Sequence, residues 1–205
     1  MTEDIKLKRA CIIGVGLIGS SFARALRARG LVDVIVGVDR DPDVIAVAKE
    51  IGVDDAGETD FAKGVKDADL VVISTPVGAV AQIAAALADA VEDGALVMDV
   101  GSVKGAVAEA AKMLPERVLF VPCHPVAGTE QSGPEAGFAT LFQDRWCILT
   151  PLAREDEAYK TAVEKAAALW TAVGAEVEIM EAAHHDLALA ETSHLPPLIA
   201  ITLVG

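Results

Sequence analysis

Six residues constrain this chain more than any others: Gly14-Val15-Gly16-Leu17-Ile18-Gly19. They directly follow an apolar run, Ala10-Cys11-Ile12-Ile13, and open an Ala/Leu/Arg-rich segment that reads as a helix over 17–29. The next apolar run, Val34-Ile35-Val36-Gly37-Val38, leads into Asp39. Strand, glycine turn, helix, strand and acidic residue in that order form a dinucleotide-binding fingerprint, where the glycines alone would be a weak signal. Gly14 lets the chain turn sharply off the strand, Gly16 has no side chain to hold a pyrophosphate away, and Gly19 lets the helix approach the sheet. The unpaired N–H groups and positive dipole end of that helix face the phosphates. Gly14, Gly16, Leu17, Ile18 and Gly19 are therefore candidate cofactor contacts. Asp39 is placed to accept from adenosine ribose hydroxyls and to repel a 2′-phosphate, which favours NAD. Arg40 beside it can stack on adenine or reach that phosphate, so NADP stays open.

The rest of the chain fits an α/β protein with a doubly wound, mostly parallel sheet. Strands are expected at 33–39, 69–74, 95–100 and 118–121, with helices at 42–50, 80–91 and 103–114 and a weakly helical stretch at 59–65. Runs such as Leu70-Val71-Val72-Ile73 suit strands buried on both faces, and abundant Ala, Val, Leu and Ile suit Ala-rich covering helices. Ser74-Thr75-Pro76 ends its strand at the carboxyl edge, where ligands sit in such sheets, and Gly101 follows the next strand at the same edge. From Pro122 to Asp144 periodicity is lost, and a loop is expected to carry function. A strand at 146–150, a helix at 155–172 and a strand at 175–180 follow. The apolar segment Leu198–Val204 needs burial partners. The expected organisation is a nucleotide-binding domain over 1–180, with a substrate-binding loop at 122–144, and the first helices of an all-α domain over 181–205, most of which lies beyond the chain.

A net charge of −14 disfavours nucleic acid and anionic membranes as partners. The first nine residues have no signal-peptide pattern, and no apolar run is long enough to span a bilayer. Cys11, Cys123 and Cys147 lie in apolar runs and read as reduced thiols of a cytoplasmic protein, with no metal-site spacing.

The strongest catalytic candidate is His124, at the end of a strand on the cofactor edge, where Pro125 holds it extended. A neutral imidazole there can take a proton from a substrate hydroxyl while hydride leaves the same carbon. Ser102 reads as an N-cap for a helix starting at Val103 and as a hydroxyl bridging substrate and His124. Lys104 reads as a solvated cation, and Glu130 as a loop carboxylate able to orient a ligand.

Five segments, taken together, resemble prephenate dehydrogenases and their arogenate-using relatives: Gly14–Ser20, Ser74–Val77, Gly101–Gly105, His124–Gly133 and Thr192–Pro196. The resemblance implies oxidative decarboxylation of prephenate to 4-hydroxyphenylpyruvate, or of arogenate to tyrosine, in tyrosine biosynthesis. It implies that His124 engages the ring hydroxyl, that Ser102 hydrogen-bonds to it, and that Thr129 and Glu130 line the substrate pocket. Ser193 and His194 would lie at the junction with a helical domain that joins two copies into a homodimer. The family motif S-H-L-P-H ends here in Pro197, removing a donor. Two other readings remain at this point. One is a reductase of the β-hydroxyacid dehydrogenase type, which the His124 segment disfavours; the other is a non-catalytic nucleotide-binding module, to which Pro197 and the scant second domain point.

Overall fold

A computed structural model of the chain describes residues 5–190. In chain order the elements are β1 (Leu7–Ile13), α1 (Leu17–Ala28), β2 (Val32–Val38), α2 (Pro42–Glu50), β3 (Ala56–Glu58), α3 (Phe61–Gly64), β4 (Leu70–Ile73), α4 (Val80–Leu87), β5 (Leu96–Asp99), α5 (Lys104–Ala111), β6 (Leu119–Pro125), β7 (Trp146–Leu149), α6 (Glu157–Ala172), β8 (Glu176–Ile179) and α7 (Ala182–Leu189). They form one eight-stranded sheet in the order β3-β2-β1-β4-β5-β6-β7-β8. Six strands run parallel, β6 and β7 pair antiparallel, and β8 runs parallel to β7. This is the expected mostly parallel, doubly wound architecture.

The side-chain alternation of β1 divides the core. Ala10 and Ile12 join a cluster with Phe22, Leu26, Phe142 and Trp170, which lies under α1 and α6. Cys11 and Ile13 join the opposite one with Val71, Val97, Ile83, Leu87 and Val107, under α4 and α5. Every central strand is thus apolar on both sides because helices cover both faces, and period-2 alternation of polarity disappears from its sequence. Under α1 and α6, Phe22 and Trp170 rings approach to 4.6 Å between centroids and Phe142 meets Trp170 edge-on at 5.2 Å. Helix starts follow local chemistry: the Asp41 carboxylate accepts from Asp43 N ahead of Pro42, and Asp156 accepts from Tyr159 N.

Three local expectations need correction. The strand expected to stop at 121 continues through Pro125, because Cys123, His124 and Pro125 pair with Leu149, Ile148 and Cys147 of β7. The short edge strand β3 was not anticipated; it adds to β2 opposite Val36, Gly37 and Val38. Helix α4 ends at Leu87 rather than at 91, and turns carry the chain on to β5. No helix among the described residues is long and apolar enough to cross a membrane.

Candidate active site

The chain reverses strand order between β1 and β4, and the glycine turn sits at that switch point. Gly14 has φ +90°, and a Cβ there would lie 2.5 Å from Ser74 O, so the turn passes directly over the end of β4. A Cβ on Gly19 would collide with Gly14 O and the Ile12 side chain, which explains the close seating of α1 on β1. Gly16 differs: a Cβ there would meet no heavy atom within 4 Å. Packing does not demand a glycine at this position. As N-cap of α1, Gly16 offers no side chain, and no acidic residue stands in the helix's first turn. The first-turn N–H groups of Leu17 and Ile18 therefore point out of the helix without intrahelical acceptors. Asp39 lies one residue past β2, its Oδ2 accepting from Val15 N at 3.2 Å and its Oδ1 from Asp41 N at 3.1 Å. The structure thus brings the acidic residue to the glycine turn across 24 residues of sequence. Arg40 is exposed beside it, and Ser74 and Thr75 flank the turn on the β4 side, with Pro76 next in the chain.

The β5 turn holds the largest departure from expectation. Lys104 is not solvated: it is 0% exposed, and its Nζ donates to Asp99 Oδ2 at 2.6 Å and to Cys123 O at 2.7 Å. Asp99 also accepts from Gly101 N at 2.7 Å and from Cys123 N at 3.2 Å. Burial pushes the Asp99 carboxyl up against the pull of Lys104 and these N–H groups. The pair ties the turn after β5 to β6 at the residue immediately before His124. Ser102 is not the N-cap of α5; Val103 takes that position, without a side-chain bond, and Ser102 is exposed. The first N–H groups of α5 are satisfied from another element, since Asp186 accepts from Lys104 N and Gly105 N, both at 2.8 Å.

His124 is only 8% exposed, and its Nδ1 lies 2.8 Å from Nε2 of His185, a fully buried residue of α7. His185 Nδ1 lies 2.8 Å from Asp186 Oδ1. Partial burial works to raise the Asp186 carboxyl, but the two α5 N–H donors and His185 outweigh it and hold it below the ordinary carboxylate range. A histidine, a second histidine and a carboxylate therefore stand in series. His185 and Asp186 were not identified as site residues from sequence, although an acidic neighbour to a histidine in an otherwise apolar helix was a visible signal.

Thr129 and Glu130 are exposed on the segment after β6, and Thr129 Oγ1 accepts from Gln131 N at 3.2 Å. That segment returns over α1, where Phe138 N donates to Ser21 Oγ at 3.1 Å. Ser193, His194, Pro197 and the apolar 198–204 segment lie outside the described residues. The three cysteines are buried and unpaired. Burial, reinforced by the Asp99 charge, pushes the Cys123 thiol up to about 12, away from nucleophilic use. A cleft of about 530 Å³ between Lys112, Pro115, Phe120 and Arg154 lies toward the other end of β6 from His124.

The sequence pattern of the prephenate dehydrogenase nucleotide-binding domain matches residues 22–179. The cyclohexadienyl dehydrogenase of Zymomonas mobilis is 43% identical over 200 residues, covering 97% of this chain and 67% of its own length. The prephenate dehydrogenase of Bacillus subtilis is 36% identical over 195 residues, covering 94% of this chain and 52% of its own. Among solved structures, the prephenate dehydrogenase of A. aeolicus in complex with hydroxyphenyl propionate and NAD+ superposes with a TM-score of 0.90 at 35% identity, over 98% of this chain and 70% of that one.

Proposed function

The chain belongs to the prephenate dehydrogenase family, and from that premise we propose that it carries the nucleotide site and catalytic base of an NAD-dependent oxidoreductase acting on prephenate or arogenate. The observation that carries this reading is the placement of His124 on the same sheet edge as the glycine turn, fixed from behind by the Lys104–Asp99 pair. The residues present fit a dinucleotide. A Cβ on Gly16 would meet no heavy atom of the described residues within 4 Å, the α1 terminus offers N–H donors, and Asp39 stands beside the turn with acceptor oxygens. NAD held there supplies the acceptor for a hydride.

In this reading His124 accepts the proton of the ring hydroxyl as hydride leaves C4 of the same ring. Loss of the ring carboxylate as CO₂ returns an electron pair to the ring and the oxygen. The proton then passes back from His124 to that oxygen, giving a phenol, and aromatisation makes the sequence irreversible. Ser102 hydrogen-bonds to His124 or the hydroxyl, Thr129 and Glu130 line the substrate, and Ser193 and His194 complete the pocket from the segment that follows α7. The chain spans 67% and 52% of the two relatives named above, and the complete reaction is proposed for a cytoplasmic homodimer in tyrosine biosynthesis, joined through a C-terminal helical domain.

The test is growth of the reduced-nicotinamide absorbance with prephenate and arogenate in separate arms, each with NAD and NADP. Turnover is expected with NAD and one of the two substrates. His124→Gln is expected to lower kcat by about 10²–10⁴-fold, the range for a general base, with the NAD Kd from calorimetry unchanged. Undiminished turnover in that variant would exclude His124 as the base. Sedimentation of the chain tests the assembly: a dimer of residues 1–205 alone would contradict assignment of the dimer contact to the C-terminal helical domain.

A further inference from the structure

The geometry points to His185 as a positioning residue that fixes which nitrogen of His124 carries the proton, with Asp186 anchoring His185 in turn. This inference rests on His124 being the base of the reaction proposed above.

The argument is one of donors and acceptors. An ionised carboxylate only accepts, so Asp186 Oδ1 at 2.8 Å takes its hydrogen bond from His185 Nδ1–H. A neutral imidazole has one N–H, which leaves His185 Nε2 as a lone pair. The atom facing that lone pair at 2.8 Å is His124 Nδ1, which must then be the donor. His124 keeps its other nitrogen, Nε2, unprotonated, which is the form a general base requires. The opposite tautomer would set two lone pairs against each other between two buried rings. The two rings also meet nearly edge-on, 5.1 Å between centroids at 70°.

Asp186 cannot swing away, because both of its oxygens are engaged by the α5 N–H groups of Lys104 and Gly105. The same carboxylate therefore holds the turn that carries Ser102 and, through His185, the orientation of His124. Once His124 has taken a proton, its Nδ1–H still faces His185 Nε2, and the Asp186 charge lies one ring farther on. That charge favours the imidazolium without contacting substrate, an arrangement in which a carboxylate orients a base and stabilises its charged form.

The imidazole nitrogens of the full 205-residue chain can be assigned by NMR at pH about 8, above the ordinary histidine range and without ligands. His124 is expected with Nδ1 protonated and Nε2 unprotonated. His185→Phe keeps a ring in the buried slot but removes the acceptor, and His124 is expected to move toward the Nε2–H form. His185→Gln supplies an amide oxygen as acceptor and is expected to restore the parent pattern. In turnover, His185→Phe is expected to lower kcat by about 10–100-fold, part of a general base's contribution, with NAD Kd unchanged and partial recovery in His185→Gln. Asp186→Ala, which releases His185, serves as the second variant if His185→Phe does not fold. An Nε2–H tautomer on His124 in the parent, or an unchanged His124 signal in both His185→Phe and Asp186→Ala, overturns the inference. The tautomer is read without substrate or cofactor, so this failure is distinct from that of the base assignment, which falls on the turnover of His124→Gln.

Discussion

Lys104 and His185 depart furthest from what their residue types suggest. Lysine is rarely buried without a partner, and the partner here, Asp99, lies five residues earlier on the far side of a turn. The clue was Asp99 itself: an acidic residue closing a run of buried strand needs a cation or several N–H donors, and it has both. Since the two charges are 0% exposed, removing one strands the other. Lys104→Met is expected to cost about 3–5 kcal/mol, read as a fall in the urea midpoint. The double variant Lys104→Met with Asp99→Leu should recover most of that loss, and failure to recover would mean that the pair's hydrogen bonds to Gly101 and Cys123 matter more than its charge balance. His124 was legible as a candidate, because it combines a reactive side chain with a following proline and a strand end. His185 and Asp186 showed a local signal, an acidic residue beside a histidine, but not its meaning, because the partner ring lies 61 residues away.

Among the elements, β1, α1 and β2 could be read almost residue by residue. Their signals are local: a buried strand, glycines in a turn, an acidic residue where the next strand ends. The β6 strand could not, because Pro122 and Pro125 look like strand breakers. It persists because its antiparallel partner β7 arrives only after a long excursion, and register with a distant strand leaves no local trace. The glycines of the first turn separate structural from ligand-facing roles. Gly19→Ala places a Cβ against Gly14 O and Ile12 and is expected to lower stability and weaken NAD binding together. Gly16→Ala meets no protein atom, so its stability should change by no more than about 1 kcal/mol, the scale of an N-cap change, while NAD binding weakens. Calorimetry alongside thermal melts checks both. Equal effects of the two substitutions on stability would show that Gly16 is held by packing after all.

For the whole molecule, the pH dependence of stability carries the mark of one residue outside the site. Asp54 is 5% exposed, and neither carboxylate oxygen has a hydrogen-bond partner. Burial, with the neighbouring Asp55 charge, raises its carboxyl to about 6. The folded state therefore keeps a proton that the unfolded chain releases at about pH 4, and stability falls as pH rises between these values. Asp54→Asn should match the parent near pH 4 and exceed it above pH 6 by about 2 kcal/mol, from urea titrations at both pH values. A constant difference across that range would assign the effect to packing instead. Asp55 and Asp186 act in the other direction, since their carboxyls are held low and their contribution is lost only as acid protonates them.

The placement of Asp186 also sets a timetable. The glycine turn and Asp39 close across 24 residues, so a chain emerging from the ribosome can complete that half early. His124 stands on β6, yet its ring partner is 61 residues later, and the carboxylate behind it joins α5 across 82. At ordinary translation rates of about 5–20 residues per second, several seconds separate the synthesis of the histidine from that of the groups that orient it. A nascent chain can therefore form the glycine turn and its Asp39 contact before the His124 ring has its partner, and that contact arrives only with α7.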